Sequence, residues 1–214
     1  MSITHVLFVT DRSGSMYELA KDVRGGFNQQ IEELRKDPEP DVEFRVSVTL
    51  FNHEQYRLCE NVPLEQVPLM DEKNYATGGN TALFDAIGDT VSKFKETHPV
   101  LGEDKVLLVI QTDGEENASQ RYNRIMIQMC LDAIKAEGWA VLYLGQGAEG
   151  FQGGAHVGTQ SSLVANSSVG TRSSYGAVGQ TMRAYSAGKV AADKTVDWFD
   201  QEYRKREADD ETGS

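Results

Sequence analysis

Asp11-Arg12-Ser13-Gly14-Ser15 sets one carboxylate and two hydroxyls side by side in a short stretch. All three side chains offer oxygen. Hard cations such as Mg²⁺ take oxygen ligands in near-octahedral geometry and often keep some water. Gly14 permits the tight turn that lets Ser13 and Ser15 face one point. Two more loops carry the same chemistry. Thr77-Gly78-Gly79-Asn80-Thr81 ends on a hydroxyl, and Thr112-Asp113-Gly114 supplies a second carboxylate. The candidate donors are therefore Asp11, Ser13, Ser15, Thr81 and Asp113. The competing explanation is ordinary helix capping, for which Ser, Thr and Asp are the preferred residues. It requires several caps to coincide at three separate element boundaries.

The flanking elements place these loops. Val6-Leu7-Phe8-Val9-Thr10 and Val106 to Ile110 are continuous apolar runs, the pattern of strands buried on both faces. A helical pattern follows the first of them. The first and third loops thus sit at carboxyl ends of buried strands, and the second just before a helix. In open α/β sheets, ligands bind at those strand ends.

Asp11-x-Ser13-x-Ser15, Thr81 in a Thr-Gly-Gly-x-Thr loop and Asp113 in Thr-Asp-Gly resemble the metal-ion-dependent adhesion site of von Willebrand factor type A (vWA) domains. All five positions match in type and order, and the strand–helix alternation matches over about the first 190 residues. The resemblance implies a Rossmann-like α/β fold: a doubly wound, mostly parallel sheet with one antiparallel edge strand and helices on both faces. It implies Mg²⁺, with Mn²⁺ or Ca²⁺ as alternatives. Ser13 and Ser15 would bind the ion directly, Thr81 directly in one of two states, and Asp11 and Asp113 through water. A partner protein's Asp or Glu would complete the coordination. Movement of the Thr81 loop, coupled to the last helix, would be a switch.

The order of elements follows from periodicity. Met16 to Lys36 carries one apolar stripe, interrupted by Gly25-Gly26, where either the helix breaks or a neighbour packs close. Val42 to Asn52 and Gln55 to Val62 form a hairpin, the second strand at the sheet edge. A crossover with two prolines follows. Thr81 to His98 is a helix with Leu83, Phe84, Ile87, Val91 and Phe94 inward, and Pro99 follows its end. Lys105 to Thr112 is a strand. Ser119 to Glu137 is a helix expected to bury Tyr122, Ile125, Met126, Met129, Ala133 and Ile134. Trp139 to Leu144 and Leu163 to Asn166 are strands.

Gly145-Gln146-Gly147-Ala148-Glu149-Gly150 spells a dinucleotide fingerprint. It lacks the long helix and the downstream strand-end acid that such a site needs, so it reads as a flexible turn. Ser167 to Ser174 reads as a loop and Tyr175 to Lys189 as a helix. Domain boundaries are set at 1–190, with 191–214 a C-terminal amphipathic helix and acidic tail. That helix either packs on the domain or binds a partner. Ala208 to Ser214 is expected to fray.

Composition narrows the class. The 214 residues suffice for one sizeable core. A net charge of −12 argues against nucleic acid as partner. No run reaches the ~18 apolar residues that a membrane span needs. No signal peptide is read at the N-terminus. Cys59 and Cys130 lie on different elements and suggest free thiols in a reducing, cytoplasmic setting.

Catalysis finds little support. A phosphatase of the haloacid-dehalogenase type would need a second Asp where Ser13 stands, and no P-loop is present. His5, His53, His98 and His156 are scattered. Cys130 falls on an inward stripe. Glu115 and Glu116 are the best general-base candidates, though a solvated loop face accounts for both. The expected function is a non-enzymatic, cation-dependent protein interaction module. The alternatives are a structural subunit of a larger bacterial or viral assembly with an ion stapling the loops, and a metal-dependent phosphohydrolase.

Overall fold

A computed structural model describes residues 2–98, 100, 102–114 and 116–212, with the side chains of 149, 156, 211 and 212 excepted. Pro99, Glu115, and the side chains of Glu149 and His156, all invoked above, lie outside that description.

The strands are β1 (Ser2–Asp11), β2 (Val42–Phe51), β3 (Gln55–Pro63), β4 (Lys105–Thr112), β5 (Ala140–Gln146) and β6 (Ser161–Val164). They form one sheet in the order β3-β2-β1-β4-β5-β6. Every pairing is parallel except β2 with β3, the antiparallel edge hairpin. The helices are α1 (Ala20–Lys36), α2 (Leu83–Thr97), α3 (Arg124–Ala136), α4 (Gly147–His156), α5 (Ser168–Ser186) and α6 (Thr195–Thr212). Two apolar cores result. One joins Val6, Phe8 and Leu107 of the sheet to α1, α5 and α6. The other joins Leu7, Val9 and Leu108 to α2 and α3. This is the doubly wound, mostly parallel architecture expected above.

The chain leaves β1 towards β2 on one side and later enters β4 on the other. The crevice between the ends of β1 and β4 is therefore the topological switch point, where open α/β sheets bind ligands. Asp11 ends β1, and Asp113 directly follows β4.

The glycine pair in α1 marks a close approach, and the helix runs through it unbroken. A Cβ on Gly26 would stand 2.6 Å from Tyr175 Cδ2 of α5, whereas one on Gly25 would meet nothing within 4 Å. Tyr175 is buried, and its hydroxyl donates to Gln111 Oε1 at 2.5 Å. Hence Gly25→Ala should stabilise the protein by about 0.8–1 kcal/mol, the helix-propensity difference. Gly26→Ala should destabilise it through overpacking, by about 1–3 kcal/mol. Urea unfolding of the two variants separates them by sign.

Four expectations need correction. Helix α3 starts at Arg124, five residues late, and buries Ile127, Leu131 and Ile134. Ile125 and Met129 are 69% and 67% exposed. Apolar residues occur on both faces of this segment, so periodicity alone did not fix its phase. Cys130 is half-buried and packs against the second core, as its inward position implied, and burial raises its thiol pKa.

The stretch from Gly147 is helix α4, not a flexible turn. A Cβ on Gly150 would lie 2.7 Å from the Thr112 carbonyl oxygen and 3.1 Å from Asp113 Cα. These glycines serve close packing of α4 on the strand ends. Residues 168–174 are the first turns of α5, not a loop. Ser167 caps them by accepting from Gly170 N–H at 3.0 Å. Lastly, α6 runs on through 208–212, where fraying was expected. Val196, Phe199 and Tyr203 of α6 are buried in the first core, so this helix packs on the sheet domain.

Candidate functional site

Asp11 is fully buried at the end of β1. Its Oδ1 accepts from Ser13 N–H at 2.7 Å, and its Oδ2 accepts from the Thr112 hydroxyl at 2.6 Å. Burial pushes the Asp11 pKa up to about 6, although the bonds from Thr112 and Ser13 act the other way. A buried carboxylate of this kind is stabilised in its charged form by a neighbouring cation.

Beyond Asp11 the hydroxyls converge. Ser13 Oγ and Ser15 Oγ are 3.1 Å apart, and Ser15 Oγ donates to Asp113 Oδ1 at 2.8 Å. A Cβ built on Gly114 would lie 3.6 Å from Ser15 Oγ and 3.8 Å from Thr81 Oγ1. The fold thus gathers all five residues singled out in the sequence. Ser13 and Thr81 are buried, Ser15 is exposed and Asp113 is half-buried, so the cluster opens outward on one side.

The donor set suits a hard cation. With Mg–O near 2.1 Å, adjacent oxygens of an octahedron stand about 3 Å apart. The Ser13–Ser15 and Ser15–Asp113 oxygens already have that spacing. No cluster of three His, Cys, Asp or Glu side chains able to hold a metal occurs among the described residues. Any ion here would rely on hydroxyls and water alongside two carboxylates.

The loops are joined directly to one another. Gly14 N–H donates to Gly79 O at 3.0 Å, and Gly78 N–H donates to Arg12 O at 2.9 Å. The Asn52 side-chain amide donates to Gly78 O at 2.7 Å, and the Asn52 backbone carbonyl accepts from Ala82 N–H at 2.8 Å. The Tyr75 hydroxyl donates to Asp11 O at 2.6 Å. Asn117 Oδ1 accepts from Thr81 N–H at 2.9 Å. Asn52, Tyr75 and Asn117 escaped the sequence reading because each acts on backbone far away in the chain. Only Thr112 carried a local signal, inside Thr-Asp-Gly.

Two further carboxylates shape the loop from 114 to 123. Glu116 accepts from the backbone N–H of Phe84, Ala118 and Ser119 and from the Ser119 hydroxyl. It is committed to loop structure, which corrects its reading as a general-base candidate or a solvated face. Asp85 accepts from the N–H groups of Gln120, Arg121 and Tyr122. Burial alone would raise the Asp85 pKa. Those three N–H groups and the Arg121 charge outweigh it and hold the carboxyl below its ordinary value.

Asp85→Ala strands three backbone donors. Hydrogen bonds to charged groups contribute about 1.5–3 kcal/mol, and partial rehydration of an exposed loop recovers some of that. The expected loss is about 2–3 kcal/mol, or roughly 5–10 °C in Tm for a chain of this size, read by calorimetry. A groove of about 700 Å³, lined by His53, Gly79, Asn80 and residues 117–121, runs alongside this loop.

No family model matches the chain, and no curated protein sequence matches it. Its shape is similar to several solved structures. The pilus adhesin SpaC from Lactobacillus rhamnosus GG, in an open conformation, superposes with TM-score 0.66 at 12% identity, over 87% of this chain and 30% of that one. The ArnB paralog VWA2 from Sulfolobus acidocaldarius gives 0.54 at 18% identity, over 86% and 45%. A von Willebrand factor type A structure from Catenulispora acidiphila gives 0.54 at 12% identity, over 86% and 43%. The chain spans less than half the length of each of these proteins. At such identities the likeness establishes the fold.

Proposed function

We propose that this chain, which has the von Willebrand factor type A fold, is a non-enzymatic protein interaction module that works through a bound divalent cation. In this reading Ser13, Ser15 and Thr81 hold the ion, Mg²⁺ by preference, and Asp11 and Asp113 hold its water. A partner's Asp or Glu supplies the remaining oxygen. The observation that carries it is the pair of Ser13 and Ser15 hydroxyls at octahedral spacing, close to the Thr81 hydroxyl, with Asp113 bonded to Ser15 at the edge of the cluster. Few anionic groups touch the ion directly, so it keeps charge with which to attract an external carboxylate. The cluster's open side and the adjoining groove give that carboxylate access.

A stapling role for the ion is the less favoured reading. The loops are already linked by the Gly14–Gly79, Gly78–Arg12 and Asn52–Gly78 hydrogen bonds, which need no ion. The free thiols Cys59 and Cys130 suit a reducing, cytoplasmic setting.

The test is affinity capture from host lysate with this protein as bait, in Mg²⁺, in EDTA, and with a Thr81→Ala bait. A partner held only by the wild type with metal supports the bridging ion. The same proteins held in all three conditions would sink it.

A further inference from the structure

Helix α3 is apolar on two faces. Its inner face, Ile127, Leu131 and Ile134, is buried in the second core. Its outer face carries Ile125, Met129 and Ala133 at four-residue spacing, with Met126 and Ala136 alongside, and all five are exposed. Residues spaced by four form a continuous ridge along a helix. Ile125 and Met129 are 69% and 67% exposed, so the ridge stands clear of the neighbouring elements. The adjoining helix α2, by contrast, exposes Ser92, Lys95, Glu96 and Thr97. A helix that is apolar all round is normally buried all round. A contiguous exposed apolar patch marks a surface used for contact.

The charges beside the ridge indicate what covers it. Arg124 and Asp132 are exposed, and neither makes a hydrogen bond or an ion pair among the described residues. Lys135 feels the Asp132 charge only at longer range, and Glu137 is already paired with Lys95 at 2.5 Å. At 3.6 residues per turn, Arg124 and Asp132 lie on the same side of the ridge, about 12 Å apart along the axis. Two copies of α3 packed antiparallel about a twofold axis at Met129 set Met129 on its own copy. Ile125 and Met126 then meet Ala133 of the other copy. The symmetry keeps each flank on its own side, so Arg124 of one copy comes within about 3 Å, along the axis, of the level of Asp132 of the other, twice over. A parallel pair would oppose Arg124 to Arg124 and Asp132 to Asp132. The face is therefore self-complementary in the antiparallel sense alone.

We propose that the outer face of α3 docks a second copy of this chain, antiparallel, in a twofold dimer. A contact built on one helix of 13 residues, about 20 Å long, falls below the ~1,200 Å² of a standard interface, so the association is weak and concentration-dependent. The loop from 114 to 123 leads into α3, so the helix begins at the end of the molecule that carries the hydroxyl cluster. Antiparallel docking points the two clusters in opposite directions. On the function proposed above, the dimer would link two partner proteins, while the docking itself needs no ion.

The experiment is sedimentation equilibrium of the full chain from low micromolar to near-millimolar concentration, in Mg²⁺ and in EDTA. A reversible monomer–dimer equilibrium should appear, the same in both. Met129→Glu should be monomeric throughout. Arg124→Glu and Asp132→Lys should each weaken association by about fivefold or more, and the combined Arg124→Glu/Asp132→Lys chain should regain it. All three positions are exposed, and circular dichroism checks that each variant is folded. A monomer at every concentration would overturn the proposal and leave the face to a different protein. So would a dimer that survives Met129→Glu, one that dissolves in EDTA, or a combined variant that does not recover.

Discussion

Asp113→Ala is expected to weaken Mg²⁺ binding by about 10- to 100-fold while leaving the fold standing. Residues that orient a metal's ligands typically have effects of that size on affinity. Asp113 accepts from the Ser15 hydroxyl, so its loss frees Ser15 to rotate away from Ser13. It also removes one of the two carboxylates in the cluster. Asp113 is half-buried, and its exposed hydrogen bond from Ser15 itself contributes only about 1 kcal/mol to stability. The same change at Asp11 is a poorer experiment. Asp11 is fully buried and satisfies Ser13 N–H and the Thr112 hydroxyl, so affinity and stability would fall together. Calorimetric titration with Mg²⁺, paired with thermal melts in EDTA, separates the two effects.

Gly150→Val is expected to damage the same site from a helix that contributes no ligand. A side chain there would drive into the Thr112 carbonyl and the Asp113 backbone. Both are main-chain atoms at the end of a central strand, and no flexible side chain is available to yield. Overpacking of this kind costs about 1–3 kcal/mol. The strain is relieved most easily by moving the loop that carries Asp113. The variant should therefore lose stability in EDTA and lose Mg²⁺ affinity by more than the stability change alone explains. An intact affinity in a destabilised protein would show that the loop is held from elsewhere.

How much was legible in the sequence follows from the range of each signal. Asp11, Ser13, Ser15, Thr81 and Asp113 lie in short loops bounded by apolar runs, so type, spacing and element boundary sufficed to find them. The parallel sheet and its antiparallel edge were legible in the alternation of Val42 to Phe51 and the turn before Gln55. What stayed hidden depends on contacts distant in sequence. Tyr175 filling the space above Gly26 and α4 resting on Asp113 cannot be read from local periodicity, and glycine looks alike whether it marks a turn or a close approach. Helix α3 was misphased because Ile125, Met126 and Met129 are apolar yet exposed. Its start was misplaced because Asp85, on another helix, holds residues 120–122 as a loop.

The central claim is that three loops hold one divalent cation through the Ser13 and Ser15 hydroxyls. Calorimetric titration of Mg²⁺ into the metal-free wild type and into the Ser13→Ala/Ser15→Ala double variant tests it most directly. The account predicts a single site in the wild type and no measurable site in the double variant, with both proteins folded by circular dichroism. Equal binding in the two proteins, or none in the wild type, would contradict it.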